Sequence, residues 1–298
     1  MRLSLGTAQF GLNYGITNAA GQVTPEAAAH ILKTALQNGV TALDTAVAYG
    51  NAETTLAQHR LLIDSFAITS KIPSLADCDG LAALQKLQQH ARQSKTYFGS
   101  ALKTLLFHDA QDVLRPEGQM LWGGLETIAA ELGVEHIGIS VYDKADIDDA
   151  LARITPDVVQ LPFSVFDQRL LSDGSLDKLA TYGCAIEARS VLLQGLVLCA
   201  PERIPYHLRG LVPASQKLHA EARSAGVEPL DIALGFLRLT QRFNRAVIGV
   251  TNARELADIC GAFKSPIPSV SYPNFRVFDA ILLDPRRWPG LMEEKRAS

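Results

Sequence analysis

Cysteine is scarce in this chain, and the little there is lies scattered. Cys78, Cys184, Cys199 and Cys260 form no C-x-x-C pair, which argues against a disulfide framework or a zinc site and fits reduced thiols in a cytoplasmic protein. A basic surplus is missing too. Net charge is −3 and the pI about 6.2, whereas a general nucleic-acid binder carries a positive patch that skews the balance. No run approaches the ~18 uninterrupted apolar residues of a membrane helix; the richest, Val191 to Ala200, is broken by Gln194 and Gly195. The opening MRLSLGTAQF has one basic residue and too little apolar length for a signal peptide. These absences predict a soluble, cytoplasmic protein with no membrane or nucleic-acid partner.

What is present is apolar material: 47% hydrophobic against 20% charged, enough for a sizeable core. A length of 298 residues admits two average domains or one α/β barrel, which commonly runs to ~250 residues. Short β-rich runs alternate with longer segments of helical periodicity throughout. The predicted strands are 2–5, 41–44, 67–71, 104–108, 136–140, 158–161, 185–189 and 246–249. Helices are expected over 25–38, 53–59, 80–94, 118–132, 144–153, 176–182, 215–225, 231–241 and 253–262. Thr24 before Pro25 reads as an N-cap followed by a proline at the first helical position. Gly39, Gly133, Gly183 and Gly226 read as residues just past helix ends. Eight βα units with no linker or composition break favour a closed (β/α)8 TIM barrel in one domain, 1–298, with 264–298 as a tail packing on or over it. A doubly wound sheet would want G-x-G-x-x-G after the first strand, and Gly6, Gly11 and Gly15 in GTAQFGLNYG lack that spacing.

Barrel chemistry sits at the C-terminal strand ends. Asp44 ends the second predicted strand, Lys71 the third and His108 the fourth, with Tyr49 in the loop after Asp44. Each has a dull alternative: Asp44 as a helix cap, Lys71 reaching solvent, His108 as a structural histidine. Together they bring an acid, a phenol, an ammonium and an imidazole to one mouth. An ordinary phenol, with a pKa near ~10, shares its proton poorly at neutral pH. A nearby lysine would lower that value, and a carboxylate would hold the lysine charged. His108 would orient the oxygen that Tyr49 protonates, which is what carbonyl reduction requires.

The segments LGTAQFG, LDTAVAYGNAE, ITSKI, LLFHD and GISVYD, in this order, resemble the aldo-keto reductase superfamily of (β/α)8 barrels, from Leu3 to about Ala262. The resemblance implies NADPH-dependent reduction of an aldehyde or ketone without metal, with NADH also admitted, in a protein monomeric by default. It makes Tyr49 the general acid, has Lys71 and Asp44 tune it, and has His108 orient the substrate carbonyl. It also assigns coenzyme contacts to Gly6, Thr7, Asp44, Ser140, Gln160, Arg189, Ser190, Gln194 and Gly195. Val141 stands where most relatives have asparagine, and Arg189 where many have an aromatic that stacks on nicotinamide; a planar guanidinium can lie against a ring as well. After the last strand, Gly249 allows close backbone approach, and Thr251 and Asn252 precede a helix suited to phosphate. Arg254 would pair with the 2′-phosphate, although Glu255 aligns better with the usual basic position. Tyr14, Phe163, Phe166 and the tail are candidates to line the mouth. Two other readings are a coenzyme-binding regulatory subunit with little turnover and a barrel aldolase using Lys71 as a Schiff-base nucleophile.

Overall fold

The computed structural model describes residues 1–288. Eight parallel strands close into a barrel in sequence order, β1 (Arg2–Gly6), β2 (Ala42–Asp44), β3 (Ala67–Ile72), β4 (Leu102–Phe107), β5 (His136–Ser140), β6 (Val158–Pro162), β7 (Ala185–Arg189) and β8 (Arg245–Gly249), with β8 pairing back to β1. This is the single-domain (β/α)8 barrel. The strands are buried on both faces, completely so in β2 and β6, because side chains fill the interior while helices cover the outside. The predicted strands lie within two residues of the observed ones; His108 sits one residue past the end of β4.

The helices follow their apolar spacing. Pro25–Gln37 buries Ala28, Ile31, Leu32 and Ala35, the i, i+3, i+4, i+7 face that a helix lays on a sheet. Its cap is the expected one, with the Thr24 side chain accepting from the Ala27 N–H. Gly133 and Gly226 end the helices Gly118–Leu132 and Val212–Ala225 in the left-handed conformation, where a side chain would clash. The segment 53–59 ends early: helix Ala52–Ala57 stops and a separate turn, Arg60–Ile63, follows.

Part of the expected mouth is core instead. Phe163 and Phe166 are fully buried, and Phe163 packs on Phe236 and Phe243 at 5.2 and 4.6 Å between ring centres. They lie beyond the end of β6, and the Phe163 ring turns to Phe236 of the helix Pro229–Thr240. The described part of the tail runs from 264 to 288. Tyr272, Phe275 and Trp288 are buried outside the barrel, with Tyr272 against Phe236, while Pro285 and Arg286 reach the mouth. The rest of the expected tail, 289–298, lies outside the described residues.

One buried acid gives the fold a pH dependence. Asp112 is 1% exposed and accepts from the Leu75 N–H with both oxygens, yet burial pushes its carboxyl up from 3.8 to about 6. Folding therefore favours its protonated form, so stability is greatest below the unfolded pKa and declines as pH rises towards about 6. A displacement of this size corresponds to about 3 kcal/mol. Asp112→Asn is expected to flatten the pH dependence of urea unfolding between pH 4 and 7. An unchanged slope would remove Asp112 as its source.

Candidate active site

Asp44 and Thr69 are register partners on β2 and β3, so Lys71, two residues on, points to the same face as Thr69. That face is the barrel interior. The Lys71 ammonium donates to Asp44 Oδ1 at 2.6 Å and to the Thr45 carbonyl at 3.1 Å, with both side chains almost wholly out of water. From β6, across the barrel, the Gln160 amide donates to Asp44 Oδ2 at 2.7 Å and to Glu187 Oε2 at 3.2 Å. Arg245 closes the chain at 3.1 Å from Glu187. A rod of polar groups thus crosses an otherwise apolar barrel, each charge meeting its opposite, which is the condition for burying charge at all.

Tyr49 hangs over this rod. Its ring lies 5.2 Å from the Lys71 ammonium and stands edge-on to the His108 imidazole, at 5.5 Å and 82°. The turn that places it rests on glycines. A Cβ on Gly11 would fall onto the Tyr49 carbonyl and the Ala52 amide nitrogen, and Gly50, at φ +55°, packs against the Gly11 carbonyl. Glu53, the last residue of the DTAVAYGNAE block, is also buried. Its carboxylate accepts from Ser70 Oγ at 2.5 Å and from Ser94 Oγ at 2.9 Å, pinning the helix after Tyr49 to β3 next to Lys71. Gly11→Ala is expected to cost about 1–3 kcal/mol through overpacking and to lower turnover by displacing the Tyr49 turn. Thermal unfolding and steady-state kinetics on one preparation test this; a stable variant with normal turnover would contradict it.

The phenol departs from the sequence expectation. Burial, and after it the Asp44 charge, push Tyr49 above its ordinary value, with Arg189 opposing. The Lys71 charge is engaged by Asp44 rather than spent on the ring, so the group stays a protonated donor at neutral pH. Tyr14, above the same cavity, is pushed up likewise, first by burial and then by Tyr49.

These groups face one cavity of about 1240 Å³, which runs from His108 and Tyr49 past β7 to the start of helix Ala253–Lys264. Among the assigned residues, Gly6, Thr7, Asp44, Tyr49, His108, Gln160, Arg189, Ser190, Gln194, Gly195, Gly249, Thr251 and Asn252 line it. Lys71 lies beneath it. Ser140 is buried behind Arg189, whose Nε donates to its Oγ at 3.2 Å. Arg254 does not line the cavity; its side chain is 91% exposed, with Asp258 at 3.9 Å. Four residues escaped the sequence reading. Glu187 had one signal, an acid inside the apolar strand AIEAR. Gln9 covers Gly249, where a Cβ would meet its carboxamide at 2.7 Å. Tyr142 is held between the guanidiniums of Arg189 and Arg286, at 4.0 and 3.2 Å; no local pattern foretells a contact across 47 or 144 residues.

A long polar ligand suits this cavity. Gln9 Oε1 and Gln194 Nε2 are buried atoms with no hydrogen-bond partner, and both residues face it. The loop after β7 holds Ser190, Leu193 and Gln194 at φ +57°, +46° and +55°, a strain of about 1–3 kcal/mol per residue that persists where the surroundings over-determine it. Its brace is the loop after β1: the Ile16 N–H donates to Gln194 Oε1 and Thr17 Oγ1 to the Gln194 carbonyl, each at 3.0 Å. Gly6 and Gly249, register partners on β1 and β8, both line the cavity. Among the described residues, no three His, Cys, Asp or Glu side chains are grouped to hold a metal ion, and no helix is long and apolar enough to cross a membrane.

A closed barrel with a large cavity at the C-terminal strand ends, floored by a buried acid–lysine pair, defines a (β/α)8 enzyme scaffold. Residues 2–278 match the model of the aldo/keto reductase family, and the chain belongs to that family. It is accordingly an oxidoreductase of a family that binds nicotinamide coenzymes. A crystal structure from Pseudomonas aeruginosa, described as an aldo-keto reductase, is similar in fold, with a TM-score of 0.61, 17% identity and 88% of each chain covered. No relative is found among curated protein sequences.

Proposed function

We propose that the protein reduces an aldehyde or ketone to an alcohol, with a nicotinamide dinucleotide supplying the hydride and Tyr49 supplying the proton. The observation that carries this reading is the convergence of Tyr49, His108 and the Asp44–Lys71 pair on one cavity. The coenzyme, when bound, delivers hydride to the carbonyl carbon; NADPH is the form the resemblance implies, and NADH is also admitted. Gln194 and Gln9 offer it a free amide N–H and a free carbonyl oxygen.

The protein's own part is positioning and proton supply. His108 directs the substrate oxygen, and the Tyr49 hydroxyl gives it a proton as charge develops. The Asp44–Lys71 pair forms the floor beneath the phenol ring and holds Tyr49 as a protonated donor. Arg189, stacked on Tyr142, lies over the floor of the mouth and adds a second cation near Tyr49.

The test is oxidation of NADPH and NADH, followed at 340 nm with a panel of aldehydes and ketones. Carbonyl-dependent turnover supports the reading. Tight coenzyme binding with no turnover and a stable protein partner would favour a regulatory subunit instead. Borohydride trapping of substrate on Lys71 would favour an aldolase, a role for which an ammonium already held by a carboxylate is poorly placed.

A further inference from the structure

The far end of the cavity is acidic where a 2′-phosphate would need a cation. Helix Ala253–Lys264 starts directly after β8, and Thr251, Asn252, Glu255, Asp258 and Ile259 form the wall there. Glu255 folds back over the helix start. Its Oε2 accepts from the Thr251 N–H at 2.7 Å, and its Oε1 accepts from Thr251 Oγ1 at 2.8 Å and from Asn252 Nδ2 at 3.0 Å. In return the Asn252 side chain accepts from the Glu255 N–H at 2.9 Å. The backbone N–H and the two polar side chains that lead into this helix start, where a phosphate would otherwise sit, thus already face a carboxylate of the chain. Asp258, one turn on, adds a second negative charge to the same wall, and the Arg254 side chain lies outside it.

A phosphate at this place would carry about −1.5 to −2 charge towards two carboxylates. A free ribose hydroxyl would instead donate to Glu255, the contact by which an acid selects the unphosphorylated dinucleotide in other folds. We propose that this cavity selects NADH over NADPH and that Glu255 is the discriminating residue. The proposal rests on reading the chain as a nicotinamide-dependent reductase, and it departs from the NADPH that the resemblance implies. Arg203 also lines the cavity, on the segment after β7, and its charge serves the pyrophosphate that both coenzymes share.

Isothermal titration calorimetry of the full chain with NADH and with NADPH tests this without any substrate. Because the end is open to water, screening limits the preference to about tenfold in favour of NADH. Glu255→Arg is expected to reverse the order, and Glu255→Gln, which keeps the shape of the cap, to narrow it. Arg203→Ala should weaken both coenzymes alike. Equal or tighter binding of NADPH by the natural protein overturns the proposal, as does selective loss of NADPH in Arg203→Ala. If NADPH is preferred while carbonyl reduction proceeds, only this proposal falls; if neither nucleotide binds, the reductase reading falls with it.

Discussion

Tyr49→Phe is expected to lower turnover for carbonyl reduction by about 10²–10⁴-fold, the range that one positioned proton donor contributes. Coenzyme affinity should stay within about twofold, since only the hydroxyl is lost and aromatic contact area is the larger part of what a ring contributes to packing. The edge-on contact with His108 and the packing above Lys71 involve the ring alone, so phenylalanine keeps both. A merely structural tyrosine would show the reverse, with lowered stability and retained turnover. The pH profile is a second readout. An acid must be protonated to act, and burial together with Asp44 raises the Tyr49 value. Loss of activity from its ionisation is thereby shifted to more alkaline pH, and reduction should not fall between pH 7 and about 9.5, short of the ordinary phenol value. Full activity in the variant, measured with a saturating carbonyl, would remove Tyr49 as the acid.

The largest stability loss is expected from Lys71→Met. Methionine fills a similar volume but leaves Asp44 buried with no counter-charge, a condition that costs about 3–5 kcal/mol. Gln160 still donates to the other Asp44 oxygen, so the carboxyl loses its ion pair and not its whole shell. Adding Asp44→Asn removes the stranded charge, and the double variant should regain more than half of the loss while remaining inactive. Urea unfolding of the two single variants and the double completes the cycle. A double variant no more stable than Lys71→Met would show that the pair is not the source of the loss. The contrast separates two roles of one lysine. One is to keep the Asp44 charge in the barrel, and the other is its proposed part in the chemistry beneath Tyr49.

The parts of the site legible beforehand were those written at strand ends. Asp44, Lys71 and His108 each close a β-rich run, and parallel pairing carries neighbouring strand ends to one mouth whatever the details of packing. The block around Tyr49 was legible for the same reason, because Gly50 and the helix start behind Glu53 are local. Four things were not. Glu187 receives its partner from Gln160 on the neighbouring strand and from Arg245, 58 residues away. Arg286 comes to the mouth only through the path of the tail. Ser140 ends its strand as expected, but the longer side chain of Arg189 lies over it. Phe163 and Phe166 sit beyond a strand end and still turn to the core.

Lysine's effect on the phenol shows where local chemical reasoning stops. The residue types are those that would lower the Tyr49 value, but depth of burial and the Asp44 contact set the net direction, and neither can be read from spacing. The sequence alone determined the fold class and the identity of the four groups at the mouth, because period-two and period-3.6 patterns and strand-end positions are properties of neighbouring residues. Only the tertiary structure decided which charges meet and which assigned residues reach the cavity. Those outcomes depend on distances between groups far apart in the chain, which are settled when the barrel closes.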